Sequence, residues 1–154
     1  LRIQLIEAAS TTDDSSYFFD LGSPYLSEKG TAILSVIAKK LGKLKNRIVI
    51  EGHTDSRKYT YDQKYSNWEL SADRANSSRK LMEERGLKKG QIYEIRGYAA
   101  NRPMIKENPL DARNRRITIL VLTDDPSIRD FLSNISNPVE LPPLSVINKT
   151  DAPE

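Results

Sequence analysis

Two charged residues stand where charge is costly. Asp55 closes the string Gly52-His53-Thr54-Asp55, which follows directly on the β-branched run Ile48-Val49-Ile50, a composition suited to a buried strand. Arg74 lies in a segment with helical patterning: on a wheel of about 100° per residue, Leu70, Ser71, Arg74, Ala75, Leu81 and Met82 share one half. An arginine beside an apolar face needs an anionic partner, because a desolvated and unpaired charge is unfavourable. Arg74 is therefore expected to be paired, either with Asp55 inside the chain or with a bound anion.

Other chemistries are poorly supported. The chain has no cysteine and one histidine, His53, which removes thiolate catalysis and disulfides. It also leaves too few ligands for a zinc site, which normally takes three or more from the protein. No metal and no cofactor are expected, and His53 reads as a loop histidine hydrogen-bonded near a strand end. Asp55 with Glu51 or Asp62 would be a glycosidase-like carboxylate pair only if an apolar pocket raised the pKa of one of them. No such pocket is legible, so the chain reads as a binding protein and not as an enzyme. Lys39, Lys40, Lys43, Lys45 and Arg47 alternate with Leu41 and Leu44 as the outer face of a helix would. They lack the interleaved aromatics of single-strand binders, and no nucleic acid is expected as a partner.

The elements that must position these residues follow from periodicity. Leu1, Ile3 and Leu5 alternate with Arg2 and Gln4 as in a half-buried strand. Thr11 to Ser16 is a polar loop, and Tyr17-Phe18-Phe19 a short apolar segment before Gly22 and Pro24. Ser27 can cap a helix over about 28–43, with Ile33, Leu34, Ile37, Ala38, Leu41 and Leu44 on its apolar side. A strand is expected over 47–51. A long polar loop carrying Tyr59, Tyr61 and Tyr65 is expected to touch glycan or a protein neighbour. Ser66-Asn67-Trp68-Glu69 forms a capping box for a second helix that Gly86 closes, with Trp68 expected in the core. Strands are expected over 91–98 and 116–122, with a helical turn at 111–114 between them. The order strand, helix, strand, helix, strand, strand predicts an α+β fold, a two-layer α/β sandwich with both helices on one sheet face.

The 154 residues, 38% hydrophobic and 29% charged, suit one domain with an ordinary core. No stretch approaches the roughly 18 apolar residues of a membrane span. The opening Leu1-Arg2-Ile3-Gln4 lacks a Met, which suggests an excised or processed piece of a longer protein. The expected domain covers residues 1–123. Pro126, Pro138, Pro142, Pro143 and Pro153 then mark 124–154 as a short helix around Ile128, Phe131 and Leu132 followed by a Pro-rich, partly disordered tail.

Gly52-His53-Thr54-Asp55, then Asn67 with Leu70-Ser71 and Arg74-Ala75, then Gly97-Tyr98, then Asn114-Arg115-Arg116-Ile117 resemble, in order, the signature of OmpA-like peptidoglycan-binding domains over about 47–122. Leu1 to Ile6 and the long loop before Asn67 to Ala75 are similar to the MotB type within that family. The resemblance implies a mixed sheet and a site for the diamino-acid end of a peptidoglycan stem, with Asp55 on its ammonium and Arg74 on its carboxylate. Thr54, Asn67, Leu70, Ser71 and Arg115 would complete the pocket, Asn67 and Arg115 at its rim, with backbone donors after Thr54. It also implies a periplasmic, dimeric anchor holding a flagellar stator to the cell wall. Upstream would lie one inner-membrane helix, with MotA and basal-body ring proteins as partners of the full-length protein. A different OmpA-like wall anchor, a wall-modifying hydrolase, and a protein–protein module without wall binding are the alternatives.

Overall fold

The computed structural model describes residues 1–7, 18–20, 22–58 and 64–123. The expectations placed on Tyr17, Tyr59, Tyr61, Asp62 and the 124–154 segment lie outside the described residues. Leu1–Thr123 forms one compact unit, distinct from Asp124–Glu154.

The elements in chain order are β1 (Arg2–Ile6), α1 (Glu28–Leu41), β2 (Ile48–His53), α2 (Asn67–Arg85), β3 (Ile92–Gly97), a 3-10 turn (Ala112–Asn114) and β4 (Arg116–Val121). The strands form one mixed sheet in the order β1-β4-β2-β3. β2 and β3 are parallel, as a helical crossover between them requires, and β4 runs antiparallel to both β1 and β2. The last strand therefore inserts between the first two.

Alternation decides which side chains meet the helices. Ile48 and Ile50 of β2, Ile117, Ile119 and Val121 of β4, and Leu5 of β1 form one core with Leu34, Ala38 and Leu41 of α1 and Ala75 and Met82 of α2. Every residue of β2 is buried, as befits a central strand. Its intervening residues Val49 and Glu51 are in register with Glu94 and Arg96 of β3 on the face away from the core. Tyr93 and Ile95 alternate with Glu94 and Arg96 along β3, and because β3 is an edge strand Tyr93 and Ile95 are exposed.

Local signals set the helix ends. Ser27 caps α1, its hydroxyl accepting from the Gly30 N–H at 3.0 Å. In α2 the Ser66 N–H donates to Glu69 Oε2 at 2.7 Å while the Ser66 hydroxyl accepts from the Trp68 N–H at 3.2 Å, which closes the capping box. Trp68 departs from expectation. Being on the outer side of this first turn it is 56% exposed.

Two glycines set how closely α2 approaches the sheet. A Cβ on Gly52 would lie 2.0 Å from the Ser71 carbonyl oxygen, and one on Gly97 2.8 Å from the Ala72 nitrogen. Their absence lets the first turns of α2 rest on the C-terminal ends of β2 and β3. Leu70 and Arg74 thereby come beside Thr54 and Asp55.

Candidate functional site

At that end of the sheet lies a cleft of about 160 Å³ lined by Thr54, Asp55, Asn67, Leu70, Arg74 and Arg115, joined by Glu7, Phe19, Gly22, Arg57 and Lys58. Strand ends supply its polar floor: Thr54 and Asp55 follow β2, Arg115 precedes β4, and Glu7 follows β1.

Of the two partners expected for Arg74, Asp55 is engaged elsewhere. Asp55 Oδ2 accepts from Arg115 Nη1 at 2.7 Å, not from Arg74. The Arg115 Nε donates to the Glu7 carboxylate, and the Glu7 N–H donates to the Arg115 carbonyl at 3.1 Å. Arg115 is thus a bridge between two buried carboxylates, not a rim residue. Burial alone would lower its pKa, but the hydrogen bonds to Glu7 and Asp55 outweigh that and raise it. Wheel geometry could not find this arrangement, since Glu7 and Arg115 are 108 positions apart.

Arg74 is 5% exposed. Its Nε donates to the Ser23 carbonyl at 2.9 Å, and its guanidinium lies 4.8 Å over the Phe19 ring. Among the described residues it makes no ion pair, and neither terminal nitrogen makes a hydrogen bond. Burial pushes its pKa down, against the attraction of Glu7. The result is a desolvated fork with two terminal nitrogens available to an anion.

The remaining predicted residues divide. The Thr54 hydroxyl is buried and has no partner among the described residues, while Leu70 gives the cleft an apolar wall. Asn67 holds the loop after β2, its Nδ2 donating to the Arg57 carbonyl at 2.7 Å and the Asp55 carbonyl at 3.3 Å. Ser71 does not line the cleft. It is fully buried, donates to the Trp68 carbonyl at 3.0 Å and accepts from the Ala99 N–H at 3.0 Å, so it ties α2 to the turn after β3. Two of the backbone donors expected after Thr54 are committed: the Ser56 N–H goes to the Pro109 carbonyl and the Arg57 N–H to Asp55 Oδ1 at 3.1 Å.

His53 corrects a further expectation. It is the last residue of β2, not a loop residue, and neither ring nitrogen is hydrogen-bonded among the described residues. Its ring stacks on Tyr98 with centroids 5.2 Å apart. Burial, aided by Arg116, Arg102 and Arg2, lowers its pKa to about 4, so the ring is neutral at pH 7.

Comparison with known proteins agrees with this architecture. The model of the OmpA family matches residues 18–116. The chain belongs to the OmpA family. Motility protein B of Escherichia coli K12 is 38% identical over 152 residues, which is 98% of this chain and 47% of that protein. The chain thus spans about half the length of these curated relatives. The peptidoglycan-associated lipoprotein of Pseudomonas putida is 29% identical over 117 residues, covering 75% of this chain and 68% of that protein. Among solved structures, the C-terminal domain of Helicobacter pylori MotB matches with a TM-score of 0.61 at 26% identity, over 78% of this chain and 96% of that one. The mixed sheet and paired helices are therefore those of an OmpA-like MotB domain.

Proposed function

We propose that this domain binds peptidoglycan non-covalently and serves as the periplasmic wall anchor of a flagellar stator unit. The observation that carries the reading is the buried guanidinium of Arg74, whose terminal nitrogens make no hydrogen bond among the described residues, in one cleft with the carboxylate of Asp55. A diamino dicarboxylic acid in a stem peptide keeps a free carboxylate and a free ammonium together on its distal carbon. Guanidinium matches the planar carboxylate, and an ionised carboxylate has about four acceptor sites. Asp55, with one bond from Arg115 and one from the Arg57 N–H, retains capacity for an ammonium. The buried Thr54 hydroxyl supplies a further partner. The similarity to Motility protein B and to a peptidoglycan-associated lipoprotein supports both the ligand and the stator role.

The chemistry required is grip, not bond cleavage. Both buried carboxylates of the cleft are engaged by the Arg115 guanidinium. In the full-length protein an upstream inner-membrane helix, MotA, the basal-body rings and a second copy of this domain complete the proposed assembly. Among the described residues no helix is long and apolar enough to cross a membrane.

Co-sedimentation with purified sacculi tests the reading. Wild type is expected to pellet with sacculi, and Asp55→Asn and Arg74→Ala to remain soluble while keeping wild-type circular dichroism. Equal pelleting by all three would remove both residues from the clamp. Release of soluble muropeptides would instead favour a hydrolase.

A further inference from the structure

The pole of the domain opposite the cleft is built from the C-terminal ends of α1 and α2 and the starts of β2 and β3. Gly42 and Gly86, the residues that follow the two helices, meet there: a Cβ on Gly42 would lie 1.9 Å from the Gly86 carbonyl oxygen. Lys39, Lys40 and Arg85 occupy the last turns of the helices. Lys43, Lys45, Arg47, Lys88 and Lys89 occupy the two connections that follow. From this pole we infer a docking surface for a membrane containing anionic phospholipid, which holds the domain with its cleft facing away from the bilayer.

Charge is concentrated at this pole. The whole chain carries a formal net charge of +3, yet these eight cations, all exposed, stand among the described residues with only two carboxylates, Glu83 and Glu84. Glu83 is held by Arg79, and none of the eight makes an ion pair among the described residues. Helix electrostatics explains only part of this. Cations in a last turn stabilise the negative end of the helix dipole, which accounts for Lys39, Lys40 and Arg85. The other five lie beyond the helices, where that effect falls off.

The two connections form one surface. Gln91 Nε2 donates to the Leu41 and Asn46 carbonyls at 2.8 and 3.2 Å, and Lys88 Nζ donates to the Leu44 carbonyl at 3.1 Å. Leu44, 41% exposed, shares a shallow hollow with Lys45, Arg47, Lys88 and Lys89, so an apolar side chain stands inside a ring of cations. That combination suits a lipid surface. The cations meet head-group phosphates, while the aliphatic stems of the lysines and the Leu44 side chain reach toward the acyl boundary.

Position selects a membrane over an acidic protein. β1 and β2 are both antiparallel to β4 and so run the same way, which puts Leu1 at the basic pole. Its amino group is on the Val121 carbonyl, and the neighbouring Leu122 N–H donates to the Arg47 carbonyl at 2.8 Å. On the stator-anchor reading, on which this inference rests, the chain upstream of Leu1 leads to the inner membrane. The basic pole then faces the bilayer, and the cleft, at the other end of the same strands, faces the wall. A surface tethered in this way needs little affinity of its own, because attachment keeps it at high effective concentration.

Co-sedimentation of this chain with vesicles tests the surface, using phosphatidylcholine alone and equal parts of phosphatidylcholine and phosphatidylglycerol. Two variants of equal net charge accompany wild type: Lys45→Glu/Lys89→Glu at the basic pole, and Lys29→Glu/Lys106→Glu, also exposed, at the cleft end. Wild type is expected to bind the anionic vesicles and not the neutral ones. The pole variant is expected to bind at least about tenfold more weakly, and the cleft-end variant within about twofold of wild type. Trp68, in the first turn of α2 at the cleft end, is expected to keep its emission when the vesicles carry brominated phosphatidylglycerol. Equal weakening of both variants, quenching of Trp68, or no binding of wild type to anionic vesicles overturns the docking surface. Sacculus binding is read separately and is expected at the wild-type level in the pole variant. Sacculus binding without vesicle binding thus leaves the wall anchor standing, and vesicle binding without sacculus binding removes the anchor and keeps the membrane surface. Capture of wild type but not the pole variant by immobilised polyglutamate, with no vesicle binding, overturns the membrane in favour of an acidic protein.

Discussion

Arg115 joins Asp55 to Glu7: one guanidinium donates to the carboxylate that follows β2 and to the carboxylate that follows β1. Both carboxylates are almost fully buried, Asp55 at 5% and Glu7 at 3% exposure. Removing the cation strands two desolvated anions, and breaking a buried pair from one side costs about 3–5 kcal/mol. Arg115→Met is expected to lower stability by at least about 3 kcal/mol on that basis, read as a shift of the urea midpoint at pH 7. Arg115→Lys, which keeps the charge but loses the fork, is expected to fall between it and wild type. A midpoint unchanged in Arg115→Met would show that the bridge contributes nothing net.

His53 makes stability depend on pH in a defined window. Its folded pKa, about 4, lies below the ordinary histidine value of 6.5, so between these values the unfolded chain takes up the proton first. The contribution is fully present above pH 6.5 and declines as pH falls toward 4, at up to about 1.4 kcal/mol per pH unit. His53→Phe retains a ring against Tyr98 and removes two unpaired buried nitrogens. Urea unfolding at half-unit pH steps is expected to show a flatter profile for His53→Phe between pH 6.5 and 4. Parallel profiles for the two proteins would refute the assignment.

Gly52→Ala probes the seating of α2. The added methyl would meet the Ser71 carbonyl at 2.0 Å, a contact that backbone must move to relieve. Overpacking of this kind costs about 1–3 kcal/mol. Thermal unfolding is expected to report a loss in the upper part of that range, with weaker sacculus binding because Arg74 and Leu70 ride on the displaced helix. A variant as stable as wild type would mean that α2 slides freely over β2.

Asn114 organises the chain just before Arg115. It is fully buried, its Oδ1 accepts from the Ile105 N–H at 2.8 Å, and its Nδ2 donates to the Ile105 and Asn108 carbonyls at 3.2 and 3.0 Å. Asn114→Ala leaves these backbone groups unsatisfied, at about 1–3 kcal/mol for a buried polar group. Faster proteolytic cleavage within 103–110 at unchanged global secondary structure is the expected result. Wild-type cleavage rates would show that the loop is held by other means.

Local patterns were legible and distant pairings were not. The capping box Ser66-Asn67-Trp68-Glu69 and the closing Gly86 announced α2 to the residue, and the strand expected over 116–122 is β4 (Arg116–Val121), because both signals act within a few positions of the chain. The wheel placed Arg74 correctly beside an apolar face but could not choose its neighbour. That choice depends on Gly22 to Ser27 and Phe19 folding over it, and on Arg115 reaching Asp55 across 60 positions. Trp68 and His53 failed in opposite directions for one reason: residue type gives an average burial, whereas the side of the helix and the length of β2 are tertiary facts.

The sheet order also has a mechanical consequence. Leu1 pairs with Val121 at one end of the β1–β4 ladder, its amino group donating to the Val121 carbonyl at 3.0 Å, whereas Glu7, Asp55 and Arg115 meet at the other end. Tension entering at Leu1 and leaving through a ligand in the cleft therefore runs along the strands. The antiparallel bonds, which lie across the strands, are then sheared together and not unzipped one by one. Tension applied between Leu1 and Thr123, both at the near end, would peel the same ladder bond by bond. The same domain should therefore yield at a higher force when pulled against its ligand than when pulled by its two chain ends.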